Sequence, residues 1–168
     1  MSEAGETRMQ RETFMGYAIE EAKKAAREGE VPIGAVIVKD GEVVGRGYNR
    51  IETGRDPTLH AELIAIRAAA KTLGARRLIG CTLYVTAEPC SMCAGAAVLA
   101  RVDAIVAGCE SDKSGGCGTV KDILESEDLN HRVAYTVGVR GEECAKLLRE
   151  FFRELRETKR EHRMEDFE

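Results

Sequence analysis

The chain has 168 residues, enough for one domain with a full hydrophobic core and too few for two comfortable ones. Hydrophobic residues make up 43% and charged residues 32%, and no apolar run approaches the roughly 20 residues a membrane-spanning helix needs, which argues against a membrane protein. The net charge of −4 counts against a large non-specific nucleic-acid surface and leaves room for a small local one.

Residues 1–11 are polar and mixed in charge, without the basic-then-apolar order of a secretion signal, so a cytoplasmic location is expected. The six cysteines include one C-x-x-C, and in that setting metal binding is a better reading than disulfides. Cys81, Cys109, Cys117 and Cys144 are expected as reduced thiols, the first two as small buried hydrophobes at strand edges.

In chain order, Phe14, Ala18, Ala22 and Ala25 recur at helical spacing and predict a helix over residues 11–28, stopped by Gly29. The period then changes. Residues 33–38 and 43–48 predict a β-hairpin, with Asp40-Gly41 as its turn. After a polar loop, Asp56-Pro57 predicts the start of a second helix over residues 58–73, ended by Gly74. A strand at 82–86, a third helix at 90–101 opened by Pro89, and a strand at 104–107 follow.

Residues 108–118 are rich in Gly and Ser and read as a surface loop that touches ligand or partner. A short helix at 120–125, a strand at 133–139 and a long helix from residue 142 complete the expectation. Strands separated by helices imply crossovers and a mainly parallel sheet. The expected fold is a three-layer α/β/α sandwich, a single domain whose core spans about residues 11–157, with a five-stranded mixed sheet that begins in an antiparallel hairpin and with polar termini.

The residues that carry chemistry sit where loops turn into helices. Cys90 and Cys93, three apart, share one helical face and can grip one ion. His60 and Glu62, two apart, converge only if a helix N-terminus points at that ion. Two such N-termini lower thiol pKa and favour thiolates. One His and two Cys leave a fourth tetrahedral position open, which marks a catalytic zinc site, and zinc lowers the pKa of water to about 7. Glu62 beside that position is a proton shuttle. Other readings stay open: the C-x-x-C as a redox pair or as half of a structural site with Cys109 and Cys117, His60 as a core histidine, Glu62 as a first-turn acid, and Asn49 as a turn former.

His60-Ala61-Glu62 followed by Pro89-Cys90-Ser91-Met92-Cys93 resembles the H-x-E…P-C-x-x-C signature of zinc-dependent nucleobase deaminases. Further passages make the likeness closer: residues 30–36, Asp56-Pro57-Thr58, residues 82–86, Cys93-Ala94-Gly95-Ala96, Asn130-His131-Arg132, and Cys144 with Leu148, Phe151 and Phe152. Over about residues 30–156 the chain is similar to the bacterial tRNA-specific adenosine deaminases, which convert the wobble adenosine of an arginine tRNA to inosine. The resemblance implies one zinc ion per subunit on His60, Cys90 and Cys93, with Glu62 as proton shuttle. It implies Asn49 against the base, Lys113 near the RNA backbone, and Phe151 and Phe152 beside the substrate loop, where core packing is the other reading. It also implies a homodimer and the tRNA anticodon loop as partner.

Three departures are visible. Ser111 stands where the family usually has an Asp that recognises the ribose hydroxyl, with the acid shifted to Asp112. Leu59 replaces a small Ala and Ala87 a Leu, so a reshaped pocket wall is expected. Residues 149–168 hold six basic against seven acidic side chains where family tails are often basic, which predicts weaker phosphate attraction. The competing function is nucleobase salvage, with guanine or cytosine as substrate; residues 34–41 and 64–67 suit a guanine deaminase equally.

Overall fold

The computed structural model describes residues 5–165; the outer parts of the polar termini, residues 1–4 and 166–168, lie outside the described residues. Helix α1 (Arg8–Arg27) starts three residues earlier than its apolar period predicts, because Thr7 and Gln10 form a reciprocal capping box. It ends at Gly29, whose φ of 76° suits glycine. Strands β1 (Gly34–Lys39) and β2 (Glu42–Tyr48) form the expected hairpin, and Asp40 and Gly41 both have the positive φ its tight turn needs.

Helix α2 (Ala61–Leu73) begins later than expected, at Ala61 and not Thr58. The cause is local: the Asp56 carboxylate accepts from both the amide and the hydroxyl of Thr58, which holds Pro57-Thr58 in a turn. Strand β3 (Cys81–Ala87), helix α3 (Ser91–Ala100), strand β4 (Ala104–Cys109), strand β5 (Ala134–Val137) and helix α4 (Gly141–Glu165) follow. The short helix expected at 120–125 does not form. Backbone bonds from Gly118 to Lys121 and from Ile123 to Gly116, with a bridge between Cys117 and Asp122, take those residues into the loop. A segment that short has no helical nucleus strong enough to compete.

The sheet runs β2-β1-β3-β4-β5. Its pairings correct the expectation of a mainly parallel sheet: β1 is antiparallel to both β2 and β3, and only β3-β4 and β4-β5 are parallel. The crossover logic still holds. Helix α2 carries the chain from β2 to β3, which run the same way, and the opposed β1 lies between them.

The three layers are present. Alternate strand residues divide between two cores: Ala35, Ile37, Leu83, Val85 and Ile105 face α2 and α3, whereas Val36, Val38, Tyr84 and Val106 face α1 and α4. Helix α2 lies unusually close to β2. A Cβ on Gly47 would stand 2.4 Å from the Ala61 carbonyl oxygen, and one on Gly45 2.4 Å from that of Ala65. Small residues on both sides thus fix the N-terminus of α2 against the sheet edge, at the residue that follows His60.

Candidate active site

The C-terminal ends of β2 and β3, on either side of the start of β1, bring two helix N-termini together. His60 is the N-cap of α2 and Cys90 the N-cap of α3, and neither side chain bonds back to its own helix. Both side chains instead reach outward to one point. The His60 Nδ1 lies 3.7 Å from the Cys90 Sγ, and the ligand atoms of His60, Cys90 and Cys93 all fall within 4.8 Å of one another. A tetrahedral zinc with ordinary Zn–N and Zn–S bonds has an N···S edge of about 3.6 Å, so the three donors fit that ion.

Electrostatics agree with the donor set. Contact with Cys93 and His60 lowers the Cys90 thiol to about 3, whereas the proton it shares with Cys90, together with burial, pushes Cys93 up. Of the two sulfurs Cys90 is therefore the readier thiolate, and a bound cation would displace the proton from Cys93. Glu62, in the first turn of α2, is 3% exposed, and its Oε2 is 4.0 Å from the His60 Nδ1. Burial raises its carboxyl above the ordinary range, against the lowering contact of Cys93. That Oε2 is buried without a hydrogen-bond partner, the mark of an atom that serves something other than the fold.

Above these residues opens a cleft of about 1100 Å³, walled by Ile33 and Ala87, by residues 110–114, and by one side of α4. The alternative of a structural site with Cys109 and Cys117 does not survive. Among the described residues the only metal-competent His, Cys and acid group is the one above; the Cys109 Sγ donates to the Thr86 carbonyl, and Cys117 is buried against Pro89.

The expected substrate residues are placed unequally. Asn49 lies just past β2, buried, its Nδ2 donating to the Val31 carbonyl and its Oδ1 unpartnered. Ser111 and Lys113 both line the cleft, the Ser111 hydroxyl paired with that of Ser114 at 3.0 Å. The two phenylalanines divide. Phe152, 41% exposed, lines the cleft, while Phe151 stands edge-on to it with ring centres 5.5 Å apart and is not part of the wall. Ala87 faces the cleft as expected; Leu59 does not, since its side chain lies against Gly54. Asn130-His131-Arg132 is a staple and not a site: Asn130 accepts from Arg101, His131 bonds the Val102 carbonyl, and Arg132 donates to Ser126.

Two features went unread in the sequence. Glu88, just before the Pro-Cys, is buried at the cleft wall. Lys146, Arg149, Arg153 and Arg156 form a basic stripe at helical spacing along the side of α4 that lines the cleft. Counting charges in the tail hid this phase. Glu142 and Glu150 offset half of it, pairing with Arg149 at 2.6 Å and with Lys146 at 3.8 Å.

Residues 8–109 match the cytidine and deoxycytidylate deaminase zinc-binding region. A tRNA-specific adenosine deaminase of Bacillus subtilis (strain 168) is 50% identical over 151 residues, which cover 90% of this chain and 94% of that protein. A structure solved in a study of A-to-I editing by tRNA:A34 deaminases at the wobble position superposes with a TM-score of 0.78 at 40% identity, covering 81% of this chain and 99% of that one. A guanine deaminase from Bacillus subtilis gives a TM-score of 0.56 at 46% identity, over 59% of this chain and 64% of its own. With metal-competent donors gathered at two helix ends and these likenesses over most of its length, the chain belongs to the cytidine and deoxycytidylate deaminase family, in the branch of the tRNA-specific adenosine deaminases.

Proposed function

We propose that this chain hydrolyses adenosine to inosine at the wobble position of a tRNA anticodon loop, with one zinc ion per subunit held by His60, Cys90 and Cys93. The observation that carries the reading is the buried, unpartnered Oε2 of Glu62 beside those three donors at the floor of the cleft. Zinc there supplies a Lewis acid that makes water nucleophilic at neutral pH. Glu62 would take one proton of the attacking water at a carboxylate oxygen and give it to the purine ring nitrogen, then take the second proton from the hydroxyl added at C6 and deliver it to the departing amine. A C–O bond forms at C6, the C6–N bond breaks, and ammonia leaves. Burial of Glu62 raises its affinity for the proton it must hold between these steps.

The remaining residues position the nucleotide. Asn49, with its free Oδ1, is assigned to the base edge, Ser111 to the ribose, Lys113 to the backbone, and Phe152 to stacking on an unstacked loop base, with Phe151 supporting that ring. Within the stripe from Lys146 to Arg156, Arg153 and Arg156 are assigned to the phosphates, beside the weak attraction expected from the tail's overall charge. Met92 and Leu99, seven apart on α3, are exposed apolar side chains on one face and support a homodimer. No described helix is long and apolar enough to cross a membrane, and a tRNA substrate belongs to the cytoplasm.

Guanine deamination is the second reading, favoured by the guanine deaminase likeness. Ammonia release from an anticodon-arm hairpin with wobble adenosine, run beside its deoxy version, guanine and cytosine, separates the two. Turnover of the RNA hairpin supports the proposal; turnover of guanine with an untouched hairpin overturns it.

A further inference from the structure

Two buried glutamates line the cleft, and only one of them has an oxygen without a partner. Both oxygens of Glu88 are taken. Its Oε1 accepts from the amides of Cys117 at 3.0 Å and Thr119 at 3.1 Å, and its Oε2 accepts from the Ser111 amide at 3.1 Å and from the Thr119 hydroxyl. These donors lie in one loop, and the carboxylate sits inside it. A Cβ on Gly115 would come within 2.6 Å of the carboxylate, so the chain closes around it with no side chain between. The same loop is bound to the turn that carries Cys90, through the Gly116 amide on the Pro89 carbonyl at 2.8 Å and a bridge between Cys90 and Gly115.

We infer that Glu88 is a positioning residue for the nucleic-acid substrate: it gathers residues 111–119 onto the turn that carries Cys90 and so holds Ser111 and Lys113 over the cleft. This rests on the proposed function for the identity of the substrate. Deletion of the carboxylate's charge leaves the zinc donors in place and frees the rim. The effect therefore falls on substrate affinity and not on the chemical step.

Glu88→Gln is the selective test. The glutamine oxygen keeps the place that accepts two amides, and its NH₂ then faces the Ser111 N–H, donor against donor, while the Thr119 hydroxyl can turn to accept. In the zinc-loaded protein, amide exchange at Ser111 should quicken by about tenfold, and KM for the wobble-adenosine hairpin should rise by about the same factor, as expected for a lost charge-assisted bond. Turnover number should stay within about twofold of wild type, with zinc still at one per subunit. Thr119→Val removes only the exposed hydroxyl and should give a smaller rise in KM, which keeps the test alive if Glu88→Gln misfolds. Quickened exchange with unchanged KM overturns the inference, as does loss of zinc or a fall in kcat at unchanged KM. If wild type leaves the hairpin untouched, the substrate reading fails separately, and the exchange rates with KM for guanine decide the role of Glu88.

Discussion

Glu62 and Glu88 stand on two sides of one cleft, each buried, and differ in what meets their oxygens. Burial raises the carboxyl of Glu62, and one of its oxygens has no partner. Burial acts on Glu88 too, but the bonds from Thr119, Ser111 and Cys117 outweigh it and hold that carboxyl below the ordinary range. The floor of the cleft is thus built from backbone: two helix ends fix His60 and Cys90, and the acid beside them keeps an oxygen without a partner. The rim is built from a glycine-rich loop and an exposed helix face, and needs an anchoring charge to hold shape. A residue's place in a cleft does not settle its role; the state of its hydrogen bonds does.

The sharpest way to break this division is Cys93→Ser at the floor. Zinc content should fall below about a tenth of an ion per subunit and turnover below detection. Removing the metal from the wild type by chelation should lower its melting temperature, since a ligand present at about 100 times its Kd contributes about 2.7 kcal/mol to the folded state. At the rim, Phe152→Ala should raise KM for the hairpin by roughly 5- to 100-fold with little change in kcat, the range expected of one lost base-stacking contact. Phe151→Ala, measured beside it, should do less, because that ring does not reach the cleft wall.

Arg153→Ala should weaken hairpin binding by a few-fold at low salt and reduce the slope of log K against log salt by about 0.7 to 1. The smallest effect belongs to the turn before α2. Hydrogen bonds from the Thr58 hydroxyl and amide hold the Asp56 carboxyl below its ordinary value. Its stabilising contribution is therefore full above the unfolded value of about 3.9 and is lost as pH falls through the folded one. Asp56→Asn should melt slightly below wild type at pH 7, and the two curves should meet as the pH falls through that lowered value.

The floor was legible in the sequence because its geometry is local. His60, Glu62, Cys90 and Cys93 are set by spacing within two helix starts, and the caps that aim them lie within one turn. The hairpin was legible for the same reason, through Asp40-Gly41. What failed was long-range or collective. No pattern in β1 shows that it pairs antiparallel with β3, a consequence of α2 skipping one strand. The apolar residues Val120, Ile123 and Leu124 promise a helix, but Ile123 is bonded to Gly116 and the segment belongs to the loop. Glu88 looks like any acid before a Pro until the donors from residues 111–119 arrive. The stripe on α4 could have been found by phasing Lys146, Arg149, Arg153 and Arg156 on one wheel, a pattern net charge erases.

Under the proposed function, floor and rim act separately, the one on bonds and the other on binding. Glu62→Gln tests it most directly, with hairpin affinity, zinc content and inosine formation measured on one preparation. This variant should keep one zinc per subunit and a Kd within about threefold of wild type, with a loss of turnover of at least about 100-fold, as expected when a general acid-base is removed. Substantial inosine formation by this variant, or a collapse of hairpin binding along with activity, would contradict it.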